Sequence, residues 1–118
     1  PDLFPNAAEL EADFHRRTGI YPMHGTIVVR ESLLREKPWL AKAIYEAFDR
    51  AKTEWLRRLD TGEANTASDK RYRALQPLVG PDPLPYGIEA NLRTIEALEQ
   101  TAFRQGLTPR RMSIEELF

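Results

Sequence analysis

Gly25-Thr26-Ile27-Val28-Val29-Arg30 is the stretch on which the interpretation of the whole chain depends. Three consecutive β-branched aliphatic residues without polar alternation are typical of a β-strand that is buried on both faces. Such a strand must pair its backbone N–H and C=O groups with neighbouring strands. Those strands belong either to a larger α/β domain or to another chain, and a start without Met favours the larger domain. We therefore expect an α/β fold with one buried strand at about 25–30.

The rest of the sequence has mostly helical patterns. Apolar residues recur at three- and four-residue steps in the two longest of the predicted segments, as they do on the buried face of a helix. Turn-forming residues and four prolines interrupt the pattern between 61 and 85, where one short helix around Tyr72 is expected. The predicted helices lie at about 6–19, 33–36, 38–59 and 87–105, with a last turn at 113–118.

Composition excludes several classes of protein. The 118 residues include 17 Lys and Arg against 18 Asp and Glu, which gives a net charge of −1 and no basic surface for nucleic acid. Cysteine is absent, so disulfides, thiol nucleophiles and cysteine-ligated metals are excluded. No apolar run approaches the roughly 20 residues that a membrane-spanning helix needs. The chain is therefore expected not to bind nucleic acid and not to span a membrane.

Three residues are candidates for a functional site. His24 stands at the start of the predicted strand, an edge where α/β sheets often bind ligands, and it could transfer a proton or bind an anion. A packing histidine held by a hydrogen bond is the alternative. Arg30 closes the strand and could hold a carboxylate, although an ion pair with Glu31 or Glu36 is the alternative. Tyr86 precedes a helix start that favours anions, or it anchors a loop.

Other chemistry has little basis in the sequence. His15 lies among charged residues of the first helix and is expected to be a solvated side chain. The two histidines are separated and no HExxH or DxDxDG pattern occurs, so this segment alone predicts no metal site. Phosphate-binding glycine loops and nucleophile-elbow serines are also absent.

Several stretches together resemble the C-terminal portion of the 4,5-dihydroxyphthalate decarboxylase family, in order and spacing along nearly all of the chain. Residues 61–80 contain no motif that matches the family. The family is considerably longer, so the resemblance implies that residues 1–118 are an incomplete domain, the C-terminal segment of a two-lobed α/β protein. The matching stretches are TGIYPMH at 18–24, TIVVR at 26–30, Pro38-Trp39, DPLPYGIEAN at 82–91, QGLTPRR at 105–111 and IEELF at 114–118.

The resemblance implies a type II periplasmic-binding-protein-like fold and the removal of one carboxylate from a dihydroxylated aromatic diacid. Its implied partners are a small aromatic carboxylate and the remainder of a longer chain. His24 would then be the catalytic acid or base, with Arg30 and Tyr86 as substrate-binding residues. The cofactor is unknown: a divalent metal is one option, although this segment requires none.

The alternative is a solute-binding protein of a transporter, without catalysis, because the same fold serves both functions. The cellular location follows the function: cytoplasmic for a decarboxylase and periplasmic for a solute-binding protein.

Overall fold

The computed structural model describes residues 4–23 and 25–118. The described chain divides into two compact units, one formed by Pro1–Met23 with Pro85–Phe118 and the other by His24–Leu84. Here they are called the terminal unit and the central unit. Six helices are present in the described chain: α1 Ala7–Thr18, α2 Glu31–Glu36, α3 Leu40–Thr61, α4 Ala67–Val79, α5 Ile88–Arg104 and α6 Ile114–Leu117.

The predicted buried strand is absent. Residues 25–30 form neither a helix nor a strand, and Ile27 and Val28 are 56% and 86% exposed. A strand forms only where a neighbouring strand accepts its backbone hydrogen bonds, and none of the described segments is a strand. The β-branched residues alone do not supply that partner. The described chain is all-helical, so the α/β class, with the periplasmic-binding-protein-like architecture expected from it, is wrong for this structure.

The predicted helices are confirmed within a few residues of their expected ends. Gly19 and Gly62 end α1 and α3 in the left-handed conformation, with φ of 67° and 80°. Glycine adopts this conformation without the steric cost that a Cβ atom would bring. Ser113 and Glu116 form a capping box at the start of α6, in the expected last turn. Local sequence signals therefore place most helix ends correctly.

In the central unit, α4 packs against the C-terminal part of α3. Leu59 is completely buried and Ala64 is 6% exposed. Arg73 of α4 donates hydrogen bonds to the carbonyl oxygens of both residues, at 3.0 Å and 2.6 Å. Trp55 of α3 meets Tyr72 of α4 edge to face, with ring centroids 5.2 Å apart. These contacts bury the few apolar side chains that the two helices share.

Helix α4 is longer than the short helix expected within 61–85. It begins at a capping box formed by Thr66 and Asp69 and continues through Pro77 to Val79. A proline inside a helix removes one backbone hydrogen bond, a cost of about 3 kcal/mol in a helix interior. Pro77 lies only two residues before the end of α4, where little of the helix remains to be disrupted.

The proline-rich segment after α4 is joined to α3 by a partly buried ion pair, in which the Asp82 side chain is 34% exposed. Lys52 Nζ lies 2.7 Å from Asp82, and the Lys52 side chain is only 9% exposed. The second carboxylate oxygen of Asp82 accepts the backbone N–H of Leu84 at 2.9 Å. Pro83, between these two residues, is completely buried. This cluster holds the chain in place as it leaves the central unit.

In the terminal unit, Thr94 of α5 joins the helix to the segment that follows α1. Its hydroxyl accepts the Tyr21 backbone N–H at 3.1 Å and donates to the Tyr21 carbonyl at 2.8 Å. Thr94 is 9% exposed, and the neighbouring Ile95 is 4% exposed. Farther along α5, Glu99 binds Arg111 and accepts the backbone N–H of Met112. Helix α5 is therefore the element around which this unit is organised.

No helix of the described residues combines the length and apolar content required to cross a membrane, in agreement with the expectation from the sequence.

Candidate functional site

Tyr86 lies in a tight connection immediately before α5. The preceding Pro85 restricts the backbone through its ring, and the following Gly87 is the N-cap of α5 with φ of 90°. That φ lies in the region where a side chain would be strained, so glycine suits this position. Tyr86 itself is half-buried. The phenol is thus carried by a short, restrained segment at the N-terminus of a 17-residue helix.

Asn91 restrains this segment directly. Its side-chain amide nitrogen donates to the carbonyl oxygens of Pro85 at 3.0 Å and of Gly87 at 2.8 Å. Both N–H donors of the amide are thereby used on either side of Tyr86. Asn91 is 9% exposed, so these bonds are shielded from water. The arrangement makes Asn91 a positioning residue for the segment that carries Tyr86.

Arg30 occupies the N-cap position of α2, with φ of −62° and ψ of 132°. The side chain is exposed and makes no ion pair within residues 4–23 and 25–118. The predicted alternative, a pair with Glu31 or Glu36, is absent: Glu31 instead pairs with Arg35 one helical turn later. The Arg30 guanidinium is therefore available to an external carboxylate.

His24, the predicted catalytic acid or base, lies outside the described residues. Arg30 belongs to the central unit and Tyr86 to the terminal unit. The three residues predicted from the sequence are therefore separate candidates.

Sequence reasoning missed the contacts made by His15 and Asn91. His15 is half-buried: its Nδ1 lies 3.1 Å from the Ile20 carbonyl oxygen, and its ring meets Tyr21 edge to face at 6.0 Å. Because a carbonyl oxygen only accepts hydrogen bonds, Nδ1 is the protonated nitrogen in this contact. The partners of both residues are backbone carbonyls, which leave no signature in the sequence. Asn91 did stand in a stretch that resembles a known family, and that was the one available signal.

No group of three or more His, Asp or Glu side chains in the described part of the chain is arranged to hold a metal ion. The carboxylates with lowered pKa values are instead engaged by arginines or by backbone and side-chain donors. Arg111 lowers the pKa of Glu99, and Arg110 lowers that of Glu116 to about 2. These carboxylates stabilise the C-terminal segment.

Comparison with known proteins gives one informative relationship. No family model matches the chain. The chain is similar to an enzyme that removes a carboxylate from an aromatic diacid, and the similarity extends over nearly the whole length of this chain. The relative is a 4,5-dihydroxyphthalate decarboxylase of Comamonas testosteroni, 28% identical over 120 aligned residues, which cover 98% of this chain. The chain spans 36% of the length of that relative. This similarity supports a relationship to the 4,5-dihydroxyphthalate decarboxylase family.

Proposed function

We propose that this chain is part of a decarboxylase that acts on 4,5-dihydroxyphthalate or a close aromatic diacid. The observation that carries the proposal is the similarity to the Comamonas testosteroni decarboxylase along 98% of the chain. In this proposal, residues 1–118 are one part of a longer chain, and the remainder of that chain packs against them. A decarboxylase of this kind is expected in the cytoplasm.

The substrate chemistry defines what the protein has to supply. Each hydroxyl of 4,5-dihydroxyphthalate is para to one carboxylate, so a proton can add to the ring carbon that bears that carboxylate. The carbon–carboxylate bond then breaks, its electron pair restores the aromatic ring, and carbon dioxide leaves. The reaction needs a general acid near that ring carbon and a base for the phenol proton. It also needs cations or hydrogen-bond donors for the carboxylate that stays.

The candidate residues fit these requirements by their chemistry. In the proposal, His24 is the general acid or base, since imidazole changes charge near neutral pH. The exposed, unpaired guanidinium of Arg30 binds the carboxylate that is retained. Tyr86, held by the Asn91 contacts on both sides, donates a hydrogen bond to the substrate. A divalent metal that stabilises the phenolate would require ligands beyond those found in the described chain.

The test uses the natural full-length protein. It is incubated with 4,5-dihydroxyphthalate, with and without added divalent metal, while carbon dioxide release and binding heat are measured in parallel. His24→Ala is expected to abolish turnover but keep substrate binding, whereas Arg30→Gln is expected to weaken binding. Arg35→Gln is the matched control, because Arg35 is already paired with Glu31 on the protein surface.

Binding of an aromatic carboxylate without any carbon dioxide release would contradict the enzymatic proposal. That outcome would favour the second candidate, a solute-binding protein of a transporter with a periplasmic location. Turnover that is equal in the wild-type protein and in His24→Ala would instead remove His24 from the mechanism.

A further inference from the structure

A shallow cleft of about 380 Å³ lies in the terminal unit, between the end of α1 and one face of α5. Thr18 and Ile20 form one wall. Arg93, Ala97 and Gln100 form the other, at the i, i+4 and i+7 spacing that places residues on one helix face. We propose that this cleft binds a small monocarboxylate with an apolar body. The proposal is independent of decarboxylation.

Arg93 provides the charge for such a ligand. In the described chain its guanidinium makes no ion pair, and its one hydrogen bond is a long one of 3.5 Å to the Thr18 carbonyl. A guanidinium has five N–H donors in a planar fork that matches a carboxylate, so most of its donors are available. The exposed position of Arg93 leaves them accessible to a ligand.

The Arg93 side chain lies next to Gly19, the glycine that ends α1. A Cβ atom at Gly19 would lie 3.1 Å from Arg93 Cδ and 3.6 Å from Nε. Arg93 therefore lies across the glycine at the end of α1, where a larger residue would push it away. Glycine at position 19 leaves room for the Arg93 side chain.

Arg111 and Glu96 also line the cleft and set its selectivity. Arg111 is held by Glu99, whose side chain is only 8% exposed and which raises the pKa of Arg111. The charge of Arg111 is therefore largely neutralised. Glu96 follows Arg93 by three residues on α5 and adds a negative charge to the cleft lining, which disfavours a second negative charge on the ligand. One carboxylate on Arg93, with an apolar group against Ile20 and Ala97, is the ligand that fits.

The simpler interpretation is that Arg93 only stabilises the end of α1 through the Thr18 carbonyl. That role would change protein stability but would give no saturable benzoate binding that depends on Arg93. Titration of the natural full-length protein with benzoate, followed by calorimetry and by amide chemical shifts of α5, separates the two interpretations. Benzyl alcohol, which lacks the charge, is the ligand control and is expected not to bind.

Arg93→Gln is expected to weaken benzoate binding by about tenfold or more, the size of a lost charged hydrogen-bond pair. Glu96→Gln is expected to tighten binding several-fold by removing the nearby negative charge. Arg104→Gln is the matched control on the same helix, because Arg104 is exposed and makes no ion pair with any described residue. It is expected to bind benzoate as the wild type does.

The proposal is overturned if benzoate shows no saturable binding to the wild-type protein. It is equally overturned if a folded Arg93→Gln variant binds benzoate as tightly as the wild type. If Arg93→Gln fails to fold, Glu96→Gln decides: unchanged or weaker binding in that variant contradicts the proposal, and tighter binding supports it. Loss of decarboxylase activity has no bearing on any of these outcomes.

Discussion

Thr94 joins two distant segments through a single hydroxyl. The hydroxyl bonds both the N–H and the C=O of Tyr21, which lies 73 positions earlier in the chain. Thr94→Val keeps the shape but removes both bonds, so the free energy of unfolding should fall by about 1–3 kcal/mol. Thr94→Ser should stay close to the wild type. Urea unfolding of both variants measures the difference, and equal stabilities would show that the hydroxyl contributes nothing.

Asn91 also bonds backbone groups through its side chain, by donating to two carbonyl oxygens. Asn91→Asp keeps the size of the side chain but places an acceptor opposite the carbonyls of Pro85 and Gly87. We expect a lower thermal midpoint and shifted amide resonances for residues 85–88. Asn6→Asp is the control, because the Asn6 side chain makes no capping hydrogen bond. Unchanged resonances around Tyr86 in Asn91→Asp would remove Asn91 as a positioning residue.

The start of α4 is expected to depend on pH through Asp69. Trp55 Nε1 donates to its carboxylate at 2.9 Å, and Thr66 donates through both its hydroxyl and its backbone N–H. These bonds lower the pKa of Asp69 from 3.8 to about 2. The ionised form is stabilised only in the folded state, so its contribution is present above about pH 4 and is lost as the pH falls through 2.

Stability should therefore fall more steeply between pH 4 and 2 in the wild type than in Asp69→Asn, which cannot titrate. Thermal midpoints measured across this range test the prediction, with the difference between the two proteins isolating Asp69 from the other carboxylates. Parallel pH profiles would show that the Trp55 and Thr66 bonds do not favour the ionised carboxylate.

The segment 25–30 allows a direct test of the corrected fold. Val28 is 86% exposed, so Val28→Ala should change the free energy of unfolding by no more than about 0.5 kcal/mol. Leu59→Ala, at a completely buried position, should cost about 2–5 kcal/mol. Chemical unfolding of the two variants provides the comparison. A large loss of stability in Val28→Ala would mean that this segment is buried after all.

Across the described chain, many large apolar side chains face solvent, and few are buried. Trp39 is 63% exposed, and Leu98 and Leu107 are 60% and 73% exposed. Because so many large apolar side chains face solvent in a chain with so few buried ones, we expect the remainder of a longer chain to cover some of them. This expectation agrees with the comparison, because the 118 residues span only 36% of the length of the decarboxylase to which they are similar.

Tryptophan fluorescence provides a measurement of that coverage. Residues 1–118 contain two tryptophans, so Trp55→Phe leaves Trp39 as the only source of tryptophan emission within this segment. The emission of a variant that lacks both Trp39 and Trp55 is subtracted, which removes any signal from the remainder of a longer chain. In the 118-residue chain, Trp39 should emit at the wavelength of a water-exposed indole, and in the full-length protein it should shift to the blue. Trp39→Phe gives the Trp55 signal as a reference. Identical Trp39 emission in both proteins would show that no partner covers this position.

The sequence by itself determined the helices except for the length of α4, because their apolar spacing, capping residues and terminal glycines act within a few residues of the chain. It also indicated the relationship to a decarboxylase family. It did not determine the state of residues 25–30, since a strand depends on a partner distant in sequence, and β-branched residues carry no information about one.

Likewise, only the tertiary structure brought Asn91 onto the carbonyls beside Tyr86 and laid Arg93 across Gly19. The Asn91 contacts are made to backbone atoms, which every residue type possesses. Gly19 and Arg93 are more than seventy positions apart, and only folding brings them together.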